Sequence, residues 1–311
     1  MRYSILDRAN VVSGATDGEA LRRVVDRARA AEELGYHRFL VAEHHGVPGI
    51  AGSAPAVLAA AVGQATSTVR VGTAGIMVLD HAPVVVAEQA AVLQALFPGR
   101  VDIGLGASVG FTPAVRRALR QPEDAGEARE GFAAALREVV GYLRGRSEVT
   151  LRPWVDEPPA LHLLTGGSRR SLDLAGELDL GVVLGGPEPA RVDGAVVSCQ
   201  VAAADSREEA RDLVLPEVWA QVMARTTGRF MPLQPVGELD EADLTAQQRR
   251  RVTRGLEATI HGTPDEVAAE VAALARRTGA SELLVTGGAS DRAGQARSDG
   301  ILAGILPKIV P

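Results

Sequence analysis

Three adjacent ionisable residues, Glu43, His44 and His45, close an otherwise apolar run, Tyr36-His37-Arg38-Phe39-Leu40-Val41-Ala42. Imidazole takes or gives a proton near neutral pH, and a neighbouring carboxylate orients it or shifts its affinity for that proton. Acid/base work is therefore the first chemistry these residues suggest. Successive strand residues point to opposite faces, so Glu43 and His45 share one side and His44 the other. For the same reason three neighbours cannot all face one ion. No His-Glu-x-x-His spacing occurs either, and no metal site is expected. The plain alternative, a hydrogen-bonded loop histidine, is weakened by three such groups at one strand end.

Other stretches carry weaker chemistry. Asp80-His81 could be a second acid/base pair, but a capping role before Pro83 is preferred. Gly106-Ala107-Ser108-Val109-Gly110 has the spacing of a nucleophile elbow. A serine hydrolase would also need a late acid and histidine in order, and none is evident. Thr165-Gly166-Gly167-Ser168-Arg169-Arg170-Ser171 lies between a strand and a helix, where backbone N–H groups and the helix dipole favour an anion. Ser168 and Ser171 add hydroxyls there, although Ser168 also suits a simple N-cap. The spacing is neither the dinucleotide fingerprint nor a Walker loop. Glycine pairs recur at strand ends (Gly72 and Gly75, Gly104 and Gly106, Gly166 and Gly167, Gly287 and Gly288), where a flat or phosphorylated ligand can approach backbone.

The elements that must position these residues alternate. Apolar runs bounded by Gly and Pro predict strands at 4–6, 36–42, 69–78, 101–106, 160–164, 180–184, 194–202 and 282–286. Between them, 3.6-residue periodicity predicts helices at 16–35, 54–65, 83–96, within 111–143, and at 168–178, 206–225 and 263–279, with a last one reaching 306. Asp17 reads as the first N-cap, and Thr263-Pro264-Asp265-Glu266 as a capping box. Residues 226–253 are polar and poorly periodic, which suggests an insertion or mobile loop before the last helix-strand unit. Eight strands alternating with helices predict an α/β protein with a (β/α)8 TIM barrel as a single domain over 1–311. In such a barrel ligands sit at the carboxyl ends of the strands, where Glu43, His44 and His45 fall.

Composition sets the outer limits. With 311 residues, 46% hydrophobic, the chain can bury a sizeable core. A net charge of -6 gives no electrostatic footprint for nucleic acid or an anionic membrane. The single cysteine, Cys199, excludes an internal disulfide and multi-cysteine metal sites. Met1 to Asp7 lack a signal-peptide core and no long apolar span follows, so a soluble, cytoplasmic protein is the expectation.

Taken together, several stretches resemble the luciferase-like flavin-dependent monooxygenase family. They are Leu34-Gly35-Tyr36-His37-Arg38-Phe39 into Ala42-Glu43-His44-His45; Val71-Gly72-Thr73-Ala74-Gly75-Ile76; Ala87-Glu88-Gln89; Phe97-Pro98-Gly99-Arg100-Val101-Asp102-Ile103-Gly104-Leu105-Gly106; and Gly262-Thr263-Pro264-Asp265-Glu266-Val267. The resemblance implies a luciferase-like (β/α)8 barrel that takes reduced FMN from a separate flavin reductase and uses O2 to oxidise a small organic substrate. By position it implies His44 as the acid/base, with Glu43 or His45 orienting it. It implies a non-prolyl cis bond between Ala74 and Gly75 beneath the flavin ring, with Gly104 and Gly106 bordering the ring. Gly167, Ser168 and Ser171 match its phosphate-binding turn. A homodimer paired through the early helices is likewise implied. The alternatives are a deazaflavin (F420)-dependent oxidoreductase on the same barrel, or a flavin-binding protein without turnover. Two departures bear on flavin affinity: Ala107 stands where the family often has an arginine, and 185–193 is too short for the usual helix.

Overall fold

The computed structural model describes residues 1–186 and 188–309. Among the described residues nine strands run in chain order: β1 (Arg2–Asp7), β2 (Arg38–Val41), β3 (Arg70–Met77), β4 (Val101–Gly106), β5 (Ala160–Thr165), β6 (Gly181–Leu184), β7 (Val196–Ala203), β8 (Ile260–Gly262) and β9 (Glu282–Thr286). Eight of them close a parallel barrel. β1 to β6 pair in sequence, β6 pairs β7, β7 pairs β9, and β9 returns to β1. β8 is an addition on the β7 edge, aligned Val201 to Ile260.

The outer layer holds α1 (Asp17–Glu33), α2 (Pro55–Ala65), α3 (Pro83–Leu96), α4 (Pro113–Ala118), α5 (Phe132–Leu143), α6 (Arg169–Glu177), α7 (Arg207–Thr227), α8 (Ala246–Glu257), α9 (Pro264–Thr278) and α10 (Arg292–Ile305). Among the described residues no helix is long and apolar enough to cross a membrane. Among the described residues no helix lies between β6 and β7; Pro187 of that segment is outside them.

Strand parity sorts the core into layers. Phe39, Val41, Val71 and Ile103 face outward onto Val24, Val62 and Val86 of the helices. Leu40 faces inward with Ala74, Val183, Val196 and Leu284. Below this apolar layer, at the strand starts, a buried polar layer plugs the barrel. There Arg38 meets Asp102 at 3.0 Å and Glu282 at 3.1 Å, and Ser4 donates to Glu282 at 2.6 Å. Burial pushes the Asp102 carboxyl up, but hydrogen bonds from His162 and Arg70 and the charge of Arg38 outweigh it and hold it at about 2. With the bottom filled, the opposite end remains as the mouth.

Three expectations need correction. Thr16, not Asp17, caps α1: its Oγ1 accepts from the Glu19 amide while Glu19 accepts from the Thr16 amide at 2.7 Å. The stretch 226–253 is not a loop. It carries two 3-10 turns and then α8, which a capping box at Thr245 and Gln248 starts. α8 presents only a narrow apolar stripe, with Val252 packed against Leu215, Val218, Trp219 and Val222 of α7, and so its periodicity is faint in sequence. β8, three residues long, falls below what alternation can reveal.

Close approach of β3 and β4 explains three of the strand-end glycines. A Cβ on Gly72 would stand 1.7 Å from the Asp102 carbonyl oxygen, one on Gly75 2.8 Å from that of Gly104, and one on Gly104 2.6 Å from that of Thr73. Gly72→Ala is therefore expected to destabilise the fold by at least about 3 kcal/mol. That corresponds to a melting temperature lowered by roughly 6 °C or more. An unchanged thermal melt would refute the close packing of these strands.

Candidate active site

The mouth is built where β2 and β3 end. After Val41 the chain carries Glu43, His44 and His45 past the strand. Next to it, the β3–β4 register shifts between Ala74 and Ile76 at the cis Ala74–Gly75 peptide. That irregularity leaves the Met77 amide donating to Glu43 Oε2 at 2.8 Å. A 3-10 turn, Val78–Asp80, then delivers His81. His45 Nε2 and His81 Nε2 both meet Glu43 Oε1, at 2.7 and 2.6 Å.

Glu43 is only 2% exposed. Burial pushes its carboxyl up, but the hydrogen bonds from His81 and Met77 prevail and hold it below the ordinary carboxylate range. The same hydrogen bond to Glu43 lifts His81 above its ordinary value. Asp80 completes the group, with one oxygen 3.7 Å from His45 Nε2. Burial and the charge of Glu43 push Asp80 up to about 6. Its Oδ1 accepts from Gln121, while Oδ2 is buried without a partner. Asp80 and His81 thus do not cap α3, whose N-cap position is Ala82 with no side-chain bond.

Glu43, His45 and His81 bring one ligand atom each within 4.8 Å of one another. Ligands about 2.0–2.1 Å from a tetrahedral ion stand about 3.3 Å apart. The 2.6 and 2.7 Å separations are instead those of imidazole N–H donors on a carboxylate. The group holds and shares protons.

His44 faces the other way. Its amide is fixed by the Gly52 carbonyl at 2.8 Å, and its ring is half-buried, with Nδ1 buried and lacking any hydrogen-bond partner. Burial, then the charge of Arg8, lowers its pKa to about 4, so the ring is neutral at pH 7. Neither Glu43 nor His45 hydrogen-bonds it. The expectation that one of them orients His44 is thus not met.

His44 and His45 wall a cleft of about 460 Å³, with Arg8, Met77, Arg129 and Phe230 among its other walls. Small-molecule sites run to roughly 300–1,000 Å³. Arg8 is held by Glu217 of α7, a fully buried carboxylate that also accepts from the Gly288 amide and, at 2.9 Å, from Gln221. Arg8 and Glu217 escaped sequence reading. The signal was there for Glu217, a lone acid between Leu215 and Val218 on the apolar face of a helix.

The residues expected to hold a cofactor fall into two groups. Gly104 and Gly106 end β4 beside the Ala74–Gly75 peptide. A Cβ on Gly106 would meet only the Ile76 carbonyl oxygen, at an ordinary 3.8 Å. Protein packing does not demand glycine there, and a ligand approaching the strand end supplies a reason for it. Gly167, Ser168 and Ser171 follow β5, the strand beside β4, and like Gly104 and Gly106 they are not among the residues lining the His44 cleft. Ser168 caps α6 through the Ser171 amide at 3.3 Å, and the two hydroxyls meet at 2.8 Å. Although Ala107 follows β4, the 3-10 turn Glu127–Arg129 brings Arg129 to the wall of the cleft, where its guanidinium donates to the Ala125 carbonyl at 3.1 Å.

Comparison with known proteins agrees with this architecture. A family model described as luciferase-like monooxygenase matches residues 1–196. The chain is 30% identical over 310 residues to a luciferase-like monooxygenase of Escherichia coli (strain K12), covering 92% of this chain and 91% of that one. Among solved structures it resembles apo-MsnO8, with 26% identity and a TM-score of 0.83 over 100% of this chain and 99% of that one. Two more distant structures share the fold at the same coverage. One is the oxygenating constituent of 3,6-diketocamphane monooxygenase from the CAM plasmid of Pseudomonas putida, in complex with FMN (TM-score 0.74, 17% identity). The other is an F420-dependent secondary alcohol dehydrogenase with an F420-acetone adduct (TM-score 0.70, 12% identity). On the family match and the coverage of the relative, the chain belongs to the luciferase-like monooxygenase family.

Proposed function

We propose that this protein is a flavin-dependent monooxygenase that uses reduced FMN and O2 to oxidise a small organic substrate. The observation that carries this reading is His44: a neutral imidazole with an unpartnered, buried Nδ1 at the wall of a cleft large enough for a small molecule. An imidazole on the wall of such a cleft can exchange a proton with a molecule bound there.

FMN would be held by the Ala74–Gly75 bulge, Gly104 and Gly106 along its ring. Arg129 and the turn with Gly167, Ser168 and Ser171 would hold its phosphate end. Bound reduced flavin supplies the electrons that activate oxygen. The chain's own residues do the rest. His44 accepts a proton on its imidazole, and Val47, Ile50 and Phe230 along the cleft exclude water from it. Glu43 holds the segment carrying His44 through its bonds to His45, His81 and Met77. No nicotinamide fingerprint is present, so reductant would come from a separate flavin reductase. A homodimer is part of the same proposal.

The test is anaerobic titration with reduced FMN, and in parallel with reduced F420, followed by mixing with oxygen. Saturable FMN binding, with bound flavin reoxidised more slowly than free flavin, is the expected result. Binding of F420 in place of FMN would move the protein to hydride transfer without oxygen. Binding of neither would refute the flavin reading.

A further inference from the structure

A second cleft, of about 670 Å³, lies between α7, α8, the middle of β7 (Ser198 to Gln200) and Gly186 just past β6. Its walls carry Arg225, Arg251 and Arg254 with Gln221, Gln247 and Ser198, and among the described residues no carboxylate lines it. Among the described residues none of the three arginines lies within 4 Å of a carboxylate, whereas neighbouring Arg207 and Arg211 are each paired with acids. The chain as a whole has 39 acidic against 33 basic residues. Three unneutralised guanidiniums around one cavity are therefore a local inversion of its charge. Arg225 and Arg254 sit in the last turns of their helices, where the dipole favours a cation. Arg251 does not. It stands three residues before Arg254, on the same face of α8, where like charges repel unless something anionic joins them.

Gln221 and Arg225 line this cleft and the His44 cleft alike, so the two clefts are neighbours on either side of these side chains. We propose that the arginine cleft takes the carboxylate of the substrate while its apolar end reaches His44. A planar guanidinium fork binds a carboxylate through two parallel hydrogen bonds, which makes arginine the natural residue for this task. The oxidised molecule is thus a small organic acid. This assignment rests on the monooxygenase reading, but its test does not need flavin.

Hexanoate and hexan-1-ol are titrated calorimetrically into the protein at low salt. Hexanoate binds at least tenfold more tightly than the alcohol, and octanoate binds more tightly than butanoate because the tail occupies the His44 cleft. The double variant Arg251→Gln/Arg254→Gln loses that tenfold advantage, and so does Arg225→Gln, a change on a different helix. Both variants bind the alcohol as the wild type does, which shows that they fold. Equal affinity for acid and alcohol, or affinity blind to tail length, would overturn the proposal. A double variant that binds reduced FMN tenfold more weakly but still binds riboflavin would also overturn it, by giving the arginines to the flavin phosphate. Failure of the flavin reading would appear separately, as absence of flavin binding beside intact hexanoate binding.

Discussion

His44→Ala lowers product formation, from any acceptor the wild type oxidises, by about 100- to 10,000-fold, the usual range for loss of a positioned acid/base. Reduced flavin is still expected to bind, because the proposed flavin contacts do not include His44, and oxygen consumption continues with hydrogen peroxide as its product. The comparison is rate of product formation against peroxide yield in the two proteins. An alanine variant that keeps wild-type product yield would remove His44 from the chemistry. The stability effect has the opposite sign. His44 holds a folded pKa of about 4 against an ordinary 6.5, so as pH falls below 6.5 the unfolded chain takes a proton that the folded one refuses. The wild type therefore loses stability between pH 6.5 and 4, by about 3 kcal/mol for a shift of this size. In His44→Ala that part of the acid slope disappears, and the variant melts higher than the wild type near pH 4.5.

The barrel was legible because parallel strands covered on both faces are written as continuous apolar runs. The predicted 69–78 and 160–164 became Arg70–Met77 and Ala160–Thr165 for that reason. α8 was illegible because two apolar residues, Val252 and Leu256, suffice to dock it on α7. At the mouth, alternation rightly separates His44 from Glu43 and His45, but it says nothing of distant partners. His81 joins Glu43 across 38 positions, a meeting fixed by the β2–β3 register and the irregularity after Ala74. Glycine content misleads for a related reason. Gly72, Gly75 and Gly104 look alike in sequence to Gly106, yet the first three are filled by the neighbouring strand and only the last is open.

Glu43→Ala carries the largest expected effect on stability. It removes one buried carboxylate that accepts from two imidazoles and the Met77 amide, and leaving such donors unpaired costs about 3–5 kcal/mol. Glu43→Gln keeps an acceptor of the same shape and tests the ionic part alone. In the wild type the folded carboxylate lies below its ordinary 4.5, so its contribution is full above pH 4.5 and is lost as pH falls through the depressed value. His81 is shifted upward, so its contribution is full below 6.5 and is lost as pH rises through the raised value. The gap in melting temperature between wild type and Glu43→Gln is therefore widest between about pH 4.5 and 6.5 and narrows on both sides. A gap that is flat from pH 3.5 to 8.5 would refute the ionic account. Asp80 supplies the second arm. Its raised affinity for a proton owes part of its shift to the charge of Glu43, and its Oδ2 already stands 3.7 Å from His45. Once residue 43 is neutral, Asp80 ionises more readily and takes over His45 as a partner. Asp80→Asn thus harms Glu43→Gln more than it harms the wild type, and the excess over additivity measures how far the two carboxylates share one pair of histidines.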